Sequence, residues 1–530
     1  MKMDLVLAGA AIVDGNGGPP FDGWIGVEGS RIAAVGREAD APPAARRIDV
    51  AGSTVTPGFV DVHNHSDLSA LILPTMPSTV RQGVTTVVVG NCGSSPWPLS
   101  SFEEGVQLAY ADPGTLERPA WSGYADYLDA IDAARPAVNI ATLVGHGSIR
   151  REVMDLERRP PSPHELGAMR SLTATAVEAG AYGVSTGLVY VPGMFAATDE
   201  LVAVATEAAR LGGIYASHIR GEGEHLFRAV DEAIQIGRRA SIPAHISHLK
   251  CESSLVWGRA GELLERIHRG DDVTGDQYPY TAWNSSLASL LPPWAPVGEI
   301  PAMTARPDGR RRLIVAVEDG EPNFQSSVKG VGWDRIVIVG AADERWDGLD
   351  VETIARLMDL VPFDAFVRLL QEDPDTSCIG HAMREDDVAT IAGDPGVFVA
   401  SDASATAPDG PGGTLPVHPR EYGTFPRFLA RHVRERRAMS FEAAIRKMTS
   451  LPADRFDLRD RGRIREGSFA DLVVIDRDSI TDTATFERPH SYPIGIEMVI
   501  VNGRVAWETN GDGDGTAASR ERAGRVLRRS

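Results

Sequence analysis

His63 and His65 stand one residue apart at the end of the apolar run Gly58-Phe59-Val60-Asp61-Val62. In a β-strand, side chains at i and i+2 leave the same face, so both imidazoles aim at one point. Two imidazoles converging on one point are good ligands for a divalent transition metal. A bare His-x-His is equally a pair of surface histidines in a loop, so the rest of the chain has to decide. Further ligand types close further apolar runs. They are Cys92 in Asn91-Cys92-Gly93, His146 in Gly145-His146-Gly147, His218 in Ala216-Ser217-His218, and Asp402 in Ala400-Ser401-Asp402. His245 and His248 lie in Ala244-His245-Ile246-Ser247-His248-Leu249-Lys250. A lone histidine at a strand end is most often structural. Soft or borderline ligands, histidine or cysteine, at five strand ends are hard to explain that way.

The elements that would carry these residues alternate. Strand-like apolar runs fall at about 57–62, 84–90, 138–145, 181–186, 213–217, 242–247, 271–277 and 396–401. Helix-like stretches such as His164 to Ala179, Asp199 to Leu211 and Leu226 to Arg239 separate them. This alternation predicts a parallel sheet, and eight such strands predict a (β/α)8 TIM barrel with its site at the strands' C-terminal ends. An open doubly wound sheet is the alternative, but no Gly-rich dinucleotide turn follows the first strand. Short strands broken by Gly and Asp occur at both ends of the chain. They predict a small β-sandwich domain formed by both termini, residues 1–57 and 456–508, around a barrel at 58–455. The gap between the seventh and eighth runs is too long for one crossover. It predicts an insertion covering the barrel mouth, within about 285–380 and centred on 285–345. The tail 509–530 carries Gly511-Asp512-Gly513-Asp514-Gly515 near its start, predicted to be partly disordered, and closes on an Arg-rich stretch predicted to be a short surface helix.

Composition narrows the class. At 530 residues the chain exceeds one compact core, and its net charge of -20 argues against nucleic acid as a partner. No apolar stretch is long and uncharged enough to span a membrane, and the start reads as a strand, not a signal peptide. Three cysteines imply no disulfide framework and fit a reducing compartment, so the predicted location is cytoplasmic. The partner left is a small-molecule substrate; composition does not decide the oligomeric state. Only four lysines occur, Lys2, Lys250, Lys329 and Lys447.

The stretch from Gly58 to His65, with strands at both termini, resembles the metal-dependent amidohydrolase superfamily. Gln82-Gly83-Val84-Thr85-Thr86-Val87-Val88-Val89-Gly90-Asn91-Cys92-Gly93 resembles its N-acyl-D-amino-acid deacylase (D-aminoacylase) family. So do Ser185-Thr186-Gly187-Leu188-Val189-Tyr190, Tyr278-Pro279-Tyr280-Thr281-Ala282, and the run from His418-Pro419-Arg420 to Arg427. The resemblance extends from about residue 4 to 505. It implies a tightly held zinc on Cys92, His218 and His248, with a thiolate where a carboxylated lysine often stands. It also implies a second, weaker position on His63, His65 and Asp402, which Cys92 bridges; whether that position is filled stays open. A thiolate suits zinc, and three protein ligands leave a place for water.

The reaction so implied is metal-assisted amide hydrolysis of N-acyl-D-amino acids, with Asp402 as general base. Lys250, Arg420, Tyr190 and Tyr280 are the implied contacts of the substrate's α-carboxylate. Lys250 shares the inward face of His248, two residues before it. The runner-up is a related amidohydrolase acting on a cyclic amide, carbamate or other amide-bearing metabolite. A scaffold that kept the fold and lost catalysis should have lost ligands, and none is missing. His245 is read as structural, and His146 as a residue behind the ligands or a substrate contact. Trp283-Asn284 after Ala282, and the long Gly/Pro-rich loop from Asp402 to Arg420, depart from the family pattern. Both bear on the substrate more than on the reaction.

Overall fold

The computed structural model describes residues 3–37, 41–111, 114–322, 324–509 and 521–529. Its centre is a ring of eight strands: β1 Phe59–Asp61, β2 Val84–Val89, β3 Asn139–Thr142 continuing in Val144–Gly145, β4 Gly183–Gly187, β5 Ile214–His218, β6 Ala244–Ile246, β7 Val273–Gln277 and β8 Val397–Val399. Each pairs in parallel with the next. The ring closes where Asn64 bridges Ala403 and the Asp402 N–H donates to the His63 carbonyl at 2.8 Å. The chain is therefore a (β/α)8 barrel. β2 shows why such strands form. Its sequence Val-Thr-Thr-Val-Val-Val is β-branched throughout and buried at every position, as a strand covered on both faces requires. Helices take the crossovers; Pro163–Ala179 starts where Ser162 and Glu165 cap one another.

Both termini build one eight-stranded sheet beside the barrel. Its order runs from Arg504–Glu508 through Ile496–Val501, Leu472–Ile475, Thr54–Pro57, Met3–Ile12 and Phe21–Glu28 to Arg31–Gly36. Ala44–Asp49 forks from it along Met3–Ile12. Leu5, Leu7, Ile25, Val27, Val55, Leu472 and Ile500 form its apolar core.

Between β7 and β8 the chain leaves the barrel to make a second small sheet from Trp283–Ser286, Ile336–Val339 and Ser377–Gly380. Helices pack on it around Leu313, Ile354, Phe363, Phe366 and Leu370. This insertion continues past the expected centre at 285–345, because Ser377–Gly380 is the middle strand and pairs with both others.

The Arg-rich end differs from the expected helix. Residues 521–529 run extended, with Val526 bridging Ile140 in parallel and the Leu527 N–H donating to the Ile140 carbonyl at 2.7 Å. The cause lies in β3. Its upper part, Val144–Gly145, pairs with β4, which leaves the edge at Asn139–Ala141 without a strand on that side. The strap satisfies those backbone groups. The expected disorder of 510–520 concerns residues outside those described. Among the described residues no helix is long and apolar enough to cross a membrane.

Candidate active site

The C-terminal ends of the strands surround a cavity of about 610 Å³. Cys92 follows β2 in a tight turn between Gly90 (φ 79°) and Gly93 (φ 75°). A Cβ on Gly90 would lie 2.0 Å from the Leu143 carbonyl oxygen, and one on Gly93 would lie 2.5 Å from the Gly187 nitrogen, so neither position takes a side chain. Asn91 fixes the turn from within, its amide donating to the Val88 carbonyl at 2.9 Å and reaching the Val62 and Asn64 carbonyls at 3.4 Å. Cys92, His248 and Asp402 all have positive φ, at 52°, 36° and 53°. Left-handed backbone at a non-glycine residue costs about 1–3 kcal/mol, and strain of this kind concentrates at functional sites.

The cysteine sulfur is the meeting point. It lies 3.3 Å from His63 Nε2, 3.6 Å from His218 Nδ1 and 3.6 Å from His248 Nε2. Asp402 Oδ1 lies 3.3 Å from His63 Nε2 and 3.1 Å from His65 Nε2. Two donor groups follow: Cys92, His218 and His248, and His63, His65, Cys92 and Asp402. These spans fit zinc. With Zn–S near 2.3 Å and Zn–N near 2.0–2.1 Å, tetrahedral ligands lie about 3.5 Å apart from S to N. The donors also have the support that ligating histidines need. Glu222 Oε1 lies 2.9 Å from His248 Nδ1, and its other oxygen 3.6 Å from His218 Nε2. One carboxylate thus faces the outer nitrogens of both histidines, the arrangement that fixes ring orientation. Asp276 does comparable work on the other side, accepting the His248 backbone N–H at 2.8 Å and lying 3.6 Å from His63 Nδ1.

Electrostatics favour the ionised ligands. Burial alone would raise the Cys92 thiol, but the charge of His63 and hydrogen bonds from His218, His248 and His63 pull it well below its ordinary value. Burial likewise opposes ionisation of Asp402. Arg420 and His63, with hydrogen bonds from His63 and His65, hold it well below the carboxylate range. Arg420 Nη1 donates to Asp402 Oδ2 at 2.7 Å. His418 sets the arginine's entry into the cavity: its Nδ1 accepts the Arg420 N–H at 3.0 Å, and its Nε2 donates to the Ala282 carbonyl at 3.0 Å.

Lys250 and Tyr190 also line the cavity. The Lys250 ammonium donates to Glu222 at 2.7 Å, and the Tyr190 ring lies 5.0 Å from the His218 ring. Tyr280 does not reach the cavity; its hydroxyl donates to the Pro419 carbonyl at 3.3 Å. The residue that lines it is Tyr278. Strand alternation would put both tyrosines on one face. Instead the Tyr280 N–H donates to the Tyr278 carbonyl at 2.9 Å, which turns the chain after β7 and sends the two rings apart. Tyr278 is 3% exposed, its hydroxyl has no partner, and its ring lies 5.6 Å from the Lys250 ammonium and 5.1 Å from the Arg420 guanidinium carbon. His245 bonds Asp276 and Thr274, each at 2.8 Å. His146 lies against buried Glu200 at 3.0 Å, outside the cavity wall.

The amidohydrolase family model matches residues 46–273 and 401–506. Over 100% of its length the chain is 37% identical to an N-acyl-D-glutamate deacylase of Alcaligenes xylosoxydans xylosoxydans, 97% of which is covered. It is 36% identical to a D-aminoacylase of the same organism, over 99% of this chain and 98% of that one. The crystal structure of an N-acyl-D-glutamate deacylase from Bordetella bronchiseptica, complexed with zinc and a phosphonate mimic of the tetrahedral intermediate, superposes with a TM-score of 0.82. It is 34% identical, over 100% of both chains.

Proposed function

The chain belongs to the N-acyl-D-amino-acid deacylase family of metal-dependent amidohydrolases, and from that premise we propose that it hydrolyses N-acyl-D-amino acids to a carboxylate and a free D-amino acid, with zinc as its metal. The observation that carries the substrate class is the buried, unpartnered hydroxyl of Tyr278, whose ring is flanked by Lys250 and Arg420 in the cavity that also holds a donor set suited to zinc. A buried hydroxyl without a partner forfeits about 1–3 kcal/mol, and a substrate carboxylate placed there accepts its hydrogen bond.

Cys92, His218 and His248 are the residues that hold the tightly bound zinc. His63, His65 and Asp402 frame a second, weaker position. Bound zinc supplies a Lewis acid for the acyl carbonyl and allows a water to ionise near neutral pH. Asp402 accepts the proton of the attacking water on its carboxylate and returns it to the leaving amine. Its ionisation at rest suits the first half of that cycle. Arg420 has two jobs, since one Nη already holds Asp402 while its buried Nε is unpartnered. Together with Lys250, Tyr278 and Tyr190 it receives the α-carboxylate. With carboxylate and carbonyl both fixed, the side chain has one direction left, which is how one enantiomer is preferred. The free thiols of Cys251 and Cys378 support a reducing, cytoplasmic setting.

The test is amine release from a panel of N-acetyl-D- and N-acetyl-L-amino acids, with zinc quantified in the same sample. Turnover of D-isomers alone by a zinc-bearing enzyme supports the reading. Zinc without turnover of either isomer discards the substrate class and moves the cyclic amides and carbamates to the front. Tyr278→Phe sharpens the assignment. Losing one hydrogen bond to a charged group, about 1.5 kcal/mol, raises KM for N-acetyl-D-amino acids roughly 10-fold with kcat little changed. The corresponding carboxamides, which lack the α-carboxylate, show no such rise. An equal rise for both would remove Tyr278 from the carboxylate cradle.

A further inference from the structure

The cavity holds enough cations for one carboxylate and none for a second. From this we propose that the enzyme is selective against acidic side chains: it deacylates N-acyl-D-amino acids with uncharged side chains and refuses the D-glutamate and D-aspartate derivatives. The inference rests on the deacylase reading above. Overall similarity does not decide the point, because identity to the D-glutamate deacylase and to the D-aminoacylase differs by one percentage point, 37% against 36%.

Apart from the histidines of the two donor groups, three basic side chains line the cavity among the described residues: Arg220, Lys250 and Arg420. Arg220 is spent on structure. Its Nε and Nη2 bond Glu232 at 2.9 and 3.0 Å, and its Nη1 and Nη2 donate to the Met194 and Ala196 carbonyls, each at 2.9 Å. That commits four of the five N–H groups of its fork. Lys250 and Arg420 are already balanced by Glu222 and Asp402, and they are the pair that flanks Tyr278. The substrate's α-carboxylate takes them. A second carboxylate, wherever in the cavity the side chain lies, therefore meets no free cation.

What it meets instead repels it or leaves it dry. Asp373 and Asp375 of the insertion, and Glu104, contribute carboxylates to the wall. Trp283, Phe324, Val339 and Leu415 contribute apolar surface. Trp283 is fixed in that wall by the glycine behind it: a Cβ on Gly380 would lie 2.2 Å from its indole. An uncharged side chain buries apolar area against this wall, whereas an ionised one loses its water without a counter-charge.

The isosteric pair N-acetyl-D-glutamine and N-acetyl-D-glutamate tests charge at constant size, at a pH near 7.5 with the zinc enzyme and N-acetyl-D-methionine alongside. The expected kcat/KM for the glutamine derivative exceeds that for the glutamate derivative by on the order of 100-fold, with methionine at or above glutamine. Glutamate equal to or better than glutamine overturns the selectivity while leaving the deacylase reading intact. Failure of all three D-derivatives overturns the deacylase reading itself, and the selectivity with it.

Discussion

Cys92→Ala is expected to purify nearly free of zinc and to lose roughly 1000-fold or more in kcat/KM, the equivalent of about 4 kcal/mol of transition-state stabilisation. The size follows from position. Its sulfur belongs to both donor groups, so one substitution opens each of them. It is also the only anion of the group formed with His218 and His248, and neutral imidazoles alone hold a divalent ion less tightly. The variant separates ligation from folding. Alanine carries the same Cβ penalty at φ 52° as cysteine does, and the turn between Gly90 and Gly93 is untouched. Thermal unfolding of zinc-stripped wild type and of the variant should therefore nearly coincide, while metal content and turnover diverge. A Cys92→Ala protein that keeps one zinc per chain and most of its activity would remove the thiolate from the centre.

The barrel was legible because its signal is local. Most of the strands are short apolar runs closed by a polar residue, so periodicity and the His63/His65 spacing carry the inference without any long-range contact. Glu222 and Asp276 were not legible for the opposite reason. Glu222 lies in the loop after β5, four residues beyond His218, and faces His248 only once β6 packs beside β5. Asp276 lies within β7 and meets His63, which follows β1, only once β8 packs between those two strands. Carboxylates are common in such loops and strands, so nothing in their own neighbourhood marks these two. Tyr280 shows a further limit. Alternation predicts its direction only while the strand lasts, and β7 ends at Gln277. The strap 521–529 has a similar lesson: its conformation is set by the edge that β4 leaves open on β3, a property of another part of the chain.

Asp402→Asn probes the proton path that this arrangement implies. Asparagine is nearly isosteric and tolerates the left-handed backbone at this position at least as well as aspartate does. Its amide oxygen still accepts from Arg420, so the loop reaching to the His-Pro-Arg turn keeps its anchor. Cys92, His218 and His248 are unaltered, and zinc content should stay near that of wild type. What is lost is the carboxylate that takes a proton, a function worth about 100- to 10,000-fold in rate. The expected result is therefore a kcat reduced within that range, with KM for N-acetyl-D-amino acids changed little. A rise in KM or a loss of zinc would instead trace the effect to Arg420 or to the metal position proposed on His63, His65 and Asp402. That sharing bears on the metal count. A cation seated on His63, His65 and Asp402 draws on the same carboxylate lone pairs that must accept the proton, so filling it should slow turnover, and Asp402→Asn should abolish that slowing. Near-normal turnover by a zinc-bearing Asp402→Asn enzyme would take the base out of the scheme and leave Asp402 as a ligand alone.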